Sequence, residues 1–148
     1  MADILHRIGI KSASLEEVYL ALTTKSGLAG WWTNNTEGEG SKPGNVLKFR
    51  FAAGGFDIKV TRLIDLSYID WEVVEGPDEW VGTTIAWELK KDNDYIIVLF
   101  KHLNWKEPVE FMHHCSTKWA IFLMSLKSLI ETGKGAPEPE DQKIDNWN

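Results

Sequence analysis

The sequence predicts an α+β protein in which a curved antiparallel sheet is covered by one long C-terminal helix. Three observations predict it. Short consecutive runs between residues 46 and 102 alternate apolar and polar side chains with a period of two. That pattern marks antiparallel strands with one face on a core. The period then becomes helical over 111–131 and stops at Gly133 and Gly135. Finally, the chain has 148 residues, 43% hydrophobic and 26% charged, which suits one folded domain with a substantial core.

The elements follow in order. Residues 4–10 read as a first strand, with Ile4, His6, Ile8 and Ile10 on one face. Ser14-Leu15-Glu16-Glu17 is a capping box, and Leu15, Val18, Tyr19 and Leu22 continue it as a short amphipathic helix over 15–23. Residues 25–32 form a second short helix or turn. Residues 33–44 carry almost no apolar side chain and read as a surface loop. A strand over 46–51 turns Leu47, Phe49 and Phe51 to one side. Gly54-Gly55 reads as a turn, followed by strands over 56–65 and 68–74, the latter facing Ile69, Trp71 and Val73 inward. Glu75-Gly76-Pro77-Asp78 is a strong turn signal. Strands over 80–90 and 95–102 follow, with Thr83, Ile85, Trp87 and Leu89 on one inner face and Ile96, Val98, Phe100 and His102 on the other. On the long helix, at about 100° per residue, Met112, Cys115, Trp119, Phe122, Leu123, Leu126 and Ile130 form one stripe. That stripe is the natural cover for the sheet.

Composition excludes several classes. One Cys rules out an internal disulfide framework or a Cys-rich zinc module. The first residues lack the basic start and apolar run of a signal peptide, and no stretch nears the roughly 18 apolar residues of a spanning helix. A pI near 5.2 argues against a binder of phosphate backbones, which is usually basic. The expectation is a cytoplasmic protein with no nucleic-acid partner, no membrane span and no cofactor. The unusual feature is eight Trp. They build either a large aromatic core or an aromatic-lined cavity.

Several segments together resemble a known family. They are Ala21-Leu22-Thr23-Thr24 with Gly27-Leu28 and Trp31-Trp32, then Gly44 before Phe49-Arg50-Phe51, then Val60 and Trp71. Trp80-Val81-Gly82-Thr83 leads into Ile85-Ala86-Trp87-Glu88-Leu89, followed by His102, Cys115-Ser116, Trp119, Leu126-Lys127 and Glu131-Thr132-Gly133. The chain is similar, over about residues 4–135, to the AHSA-type family, named for the activator of heat-shock protein 90 ATPase. That family lies within the START-like (SRPBCC) superfamily. The resemblance implies a helix-grip fold: a curved antiparallel sheet wrapped around a long C-terminal helix, with two short helices after the first strand. It implies a START-like domain over 1–135. The composition of the end of the chain, rich in Gly, Pro and acidic residues from Lys134, reads as a loosely held tail over 136–148 that Trp147 could anchor. The superfamily includes lipid carriers, hormone- and flavonoid-binding proteins, polyketide cyclases and co-chaperone domains, and fold alone does not choose among them. The family name implies a heat-shock-protein partner. The eukaryotic activator has an additional N-terminal domain with no counterpart here, so that partner is not expected to carry over.

Candidate site residues divide by chemistry. Trp71, Trp87 and His102 face the sheet's apolar side, and Met112, Cys115 and Trp119 face it from the helix. In this fold, Trp31 and Trp32, with Trp80 and Trp105, would rim a cavity mouth or plug the end of the sheet. His102, His113, His114 and Cys115 invite a metal reading, but His113 and His114 point about 100° apart and leave the stripe, so no metal site is expected. Cys115 with His102 or His113 could form a nucleophile and base. A lone Cys among apolar neighbours is usually inert, and Glu72 lies on the wrong face. No catalytic residue is therefore assigned. Three readings remain: a binding module for a lipid-, flavonoid- or polyketide-like molecule, a chaperone-linked or homodimeric interaction protein, and a cyclase- or hydrolase-like enzyme using the same cavity.

Overall fold

The computed structural model describes residues 1–11, 13–52 and 54–148. Among them, the chain runs β1 (Ala2–Lys11), α1 (Leu15–Thr23), α2 (Lys25–Trp31), β2 (Asn35–Gly38), β3 (Val46–Phe51), β4 (Gly54–Ile64), β5 (Tyr68–Glu75), β6 (Thr84–Asp92), β7 (Tyr95–Trp105) and α3 (Glu110–Thr132). The strands form one curved antiparallel sheet of seven, in the order β1-β7-β6-β5-β4-β3-β2. The expected helix-grip, α+β architecture is therefore the observed one.

Local chemistry sets the helix ends. The Glu17 amide donates to Ser14 Oγ at 3.1 Å and the Ser14 amide to Glu17 Oε1 at 3.3 Å, closing the capping box of α1. Thr24 ends α1 and caps α2, accepting from the Gly27 amide at 3.0 Å. Gly133 ends α3 at φ 86°, a left-handed conformation that glycine adopts without a Cβ penalty.

α3 lies against the sheet and guards its β1 edge. The Lys11 amide donates to Glu131 Oε2 at 2.7 Å, Lys127 Nζ reaches the Gly9 carbonyl, and His6 Nε2 meets the Ser116 carbonyl at 3.1 Å. Side chains from the helix thus cover polar backbone groups of an edge strand that could otherwise pair with another chain. Between helix and sheet, Ile10, Leu22, Leu28, Trp31, Leu47, Phe49, Ile58, Trp71 and Trp87 are fully buried.

Four details depart from the sequence reading. The strand expected over 80–90 begins only at Thr84, because residues 80–83 turn the chain, the Thr83 amide donating to the Trp80 carbonyl at 2.9 Å. Within the expected loop 33–44, Asn35–Gly38 pairs with β3 as a short edge strand. Backbone hydrogen bonds need no apolar alternation, and only Thr36 of the four is buried. Gly54 and Gly55 belong to β4, opposite Phe51 and Arg50, rather than to a turn. A Cβ on Gly55 would stand 2.1 Å from the Phe49 carbonyl oxygen, so this close approach requires glycine. β7 also runs three residues past His102 and ends at Trp105.

The segment 136–148, expected to hang loosely, makes specific bonds. The Ala136 amide donates to Ser125 Oγ at 2.7 Å, and Ser125 donates to the Trp31 carbonyl at 2.8 Å. The Glu138 amide donates to the Trp32 carbonyl at 2.8 Å and its carbonyl accepts from Asn34 at 3.1 Å. Asp141 is buried and paired with Lys118 and Lys143. The segment therefore returns along α3 toward its N-terminal half. Among the described residues, no helix is long and apolar enough to cross a membrane.

Candidate functional site

A cavity of about 460 Å³ opens between the N-terminal half of α3, the β3–β4 hairpin and the segment joining β5 to β6. The β3–β4 hairpin contributes Phe51, Gly54, Gly55 and Phe56, and the segment between β5 and β6 contributes Pro77, Glu79 and Trp80. α3 contributes Phe111, His114, Cys115, Lys118, Trp119 and Phe122, a set spaced by three and four residues and so on one helical face. Trp32 stands at the end of α2, and Trp147 and Asn148 close one side from the tail.

The rings are locked together. Trp119 stacks on Trp80 at 5.9 Å with planes 12° apart, and Trp32 is 5.0 Å from it. Phe56 lies 4.6 Å from Trp80 and 5.2 Å from Trp32. These are separations at which aromatic pairs attract beyond their area burial. Trp147 is half exposed and lies 5.5 Å from His114 and 6.4 Å from Phe111.

The polar groups on the wall are mostly satisfied. Lys118 is buried, paired with Asp141, and donates to the Gln142 carbonyl at 3.0 Å. Burial opposes the charge of Asp141, but hydrogen bonds from Lys118 and Lys143 outweigh it and hold its pKa below the usual value. His114 Nδ1 sits 2.7 Å from Asp145 Oδ2, and that hydrogen bond lowers the Asp145 pKa. Burial pushes the Cys115 thiol up to about 12, the Trp80 indole beside it pulling the other way and the Glu79 charge adding to the rise. Such a thiol is a poor nucleophile at neutral pH. The Trp80 indole N–H has no hydrogen-bond partner among the described residues. No group of three or more His, Cys, Asp or Glu among the described residues is placed to hold a metal ion.

His102 works from behind this wall. Trp119 Nε1–H donates to His102 Nδ1 at 3.2 Å. An indole can only donate, so Nδ1 accepts and the ring proton sits on Nε2. Nε2 meets Thr83 Oγ1 at 2.8 Å, and Thr83 passes its own proton to the Trp80 carbonyl at 2.6 Å. Burial lowers the imidazole pKa to about 3, which keeps the ring neutral and the chain of donors fixed. This relay ties α3 to the segment bearing Trp80, holding two cavity walls in register.

Of the residues singled out from sequence, Trp32, Trp80, Cys115 and Trp119 meet on the wall. Trp31, Trp71, Trp87 and His102 are fully buried and stand behind it, and Met112 is half-buried against the core. Trp31 donates its indole N–H to the Ala21 carbonyl at 2.9 Å, and Trp71 meets Trp87 edge-on at 5.5 Å. Trp105 is likewise buried, 5.0 Å from His102. Sequence reasoning missed Phe51, Phe56, Phe111, His114, Lys118 and Phe122 as wall residues. Helical spacing carries a signal for four of these, because 111, 114, 118 and 122 recur at steps of three and four beside Cys115.

Comparisons with known proteins agree with this architecture. The solution structure of the Aha1 dimer from Colwellia psychrerythraea is 48% identical and superposes with a TM-score of 0.84, covering 91% of this chain and 100% of that one. The protein SSP2350 from Staphylococcus saprophyticus shares the fold at 18% identity, TM-score 0.74, over 90% of this chain and 95% of its own. DynU16, from the dynemicin biosynthetic locus, shares it at 19% identity and TM-score 0.75, over 90% of this chain and 48% of its own. No curated protein matches the chain. Residues 12–131 match the family described as activator of Hsp90 ATPase homolog 1-like protein. The chain belongs to that family.

Proposed function

We propose that the chain is a cytoplasmic, non-catalytic binding module for a hydrophobic small molecule of lipid-, flavonoid- or polyketide-like character. The observation that carries this reading is the aromatic-walled cavity of about 460 Å³ between the sheet and α3, within the size range of small-molecule sites. Apolar burial supplies the drive, at about 25 cal/mol per Å² removed from water. His102 has the role of a positioning residue, since both its ring nitrogens are engaged. Catalysis gains no support from the wall: burial pushes the Cys115 thiol up to about 12, Lys118 is paired with Asp141, and His114 is hydrogen-bonded to Asp145.

The test is a titration with the neutral fluorophore N-phenyl-naphthylamine. The expected result is saturable one-to-one fluorescence enhancement and a rise in Tm with ligand concentration. Both are lost in Cys115→Phe, which fills the cavity. Equal enhancement in wild type and Cys115→Phe overturns the reading.

A second reading is a homodimeric or chaperone-linked interaction protein. The relative that is 48% identical is described as an Aha1 dimer, and Leu5 and Met124 are 65% and 54% exposed here. Sedimentation equilibrium over a hundredfold concentration range decides it, a constant monomer mass removing the homodimer.

A further inference from the structure

The charges around the cavity are unevenly compensated. Both basic side chains on its wall are already engaged, Lys118 by Asp141 and His114 by Asp145. Glu79 is the exception: an exposed carboxylate on the same wall with no cation in ion-pair range among the described residues. It is the residue before Trp80, whose ring stacks on Trp119. Its field also reaches the interior, adding to the rise of the Cys115 thiol. Aromatic faces carry negative quadrupoles that attract cations, so rings and carboxylate act with the same sign.

We propose that the cavity selects an organic cation, an aromatic or fused-ring body bearing an ammonium group, over a carboxylate of the same shape, with Glu79 as its counter-charge. This rests on the binding reading above. A carboxylate ligand would meet the aromatic wall and the charge of Glu79, and would have to break the Lys118–Asp141 pair to find a cation.

The experiment compares three probes with one ring: naphthylmethyl-trimethylammonium, naphthylmethanol and naphthylacetate, titrated by Trp fluorescence at moderate salt. The expected order is cation, alcohol, carboxylate, with the cation at least about tenfold tighter than the carboxylate. Glu79→Gln should close most of that gap while leaving the alcohol's affinity within about twofold. Glu72→Gln, an equal change of net charge on the exposed outer face of β5, should leave the gap in place. Equal or tighter binding of the carboxylate overturns the charge preference alone and leaves the cavity reading standing. So does a gap that Glu72→Gln closes as well as Glu79→Gln, which would make it a property of the net charge of −6. Failure of all three probes to bind overturns both.

Discussion

Trp87 and Trp80 approach Trp119 from the same side of the sheet and have different surroundings. Trp87, in the middle of β6, is enclosed by Trp31, Trp71, Phe100 and Trp119 at 4.9–6.3 Å. Trp80, past the end of β5, has Trp119, Phe56 and His102 on its inner sides and the cavity on another. The residue type is the same, but Trp87 sits within a strand and Trp80 in the turn that joins β5 to β6. In the middle of the sheet the helix closes over the rings. Beside the turn that carries Trp80, rings of the same kind are left facing the cavity and become a wall. Core and site are therefore one aromatic cluster, joined through Trp119.

Removing a ring on each side breaks that comparison in opposite ways. Trp87→Ala leaves a large void in the closed region and should cost about 3–5 kcal/mol of stability, read as a shift of the urea midpoint. A cost below about 1 kcal/mol would show that the closed region is not close-packed.

The relay between the two regions gives the next largest effect. His102 has its pKa lowered from 6.5 to about 3. The unfolded chain takes up a proton that the folded protein refuses. Stability is thus complete above about pH 6.5 and falls as pH drops toward 3, by about 1.4 kcal/mol per unit within that window. Asp141 and Asp145, lowered from 3.8, and Glu131, lowered from 4.5, add loss only below about pH 5.5, so measurements between about pH 5.5 and 6.5 isolate His102. His102→Asn should flatten the slope there. An unchanged slope would assign the titration to another group.

The smallest expected effect is on the open side. Trp147 is 47% exposed, so Trp147→Ala should cost under about 1 kcal/mol. Because the ring is part of the wall, N-phenyl-naphthylamine should nevertheless leave faster in stopped-flow displacement. An unaltered off-rate would remove the tail from the binding site.

Much of the fold was legible because period two and period 3.6 are read residue by residue. Facing direction was legible for the same reason: Trp71, Trp87, His102, Cys115 and Trp119 all point where their spacing predicts. Depth was not. Alternation tells which face a side chain takes, but not whether a helix covers that stretch of sheet, so Trp71 and Trp87 read as wall and Phe56 was overlooked. β2 was hidden because its pairing is a matter of backbone groups, with Asn, Thr, Glu and Gly showing no apolar rhythm. The tail was hidden because its ties are polar. Asp141 finds Lys118 across 23 residues, a partnership that local pattern does not reveal.

The return of the tail has a practical consequence. Asn148 is part of the cavity wall, so a purification tag or fusion partner joined there would begin beside the opening. A polyhistidine extension would bring its own imidazoles within reach of Glu79 and the aromatic faces. Affinity measured on such a preparation would report on the tag as well as the protein, and cleavage back to Asn148 should precede any ligand screen.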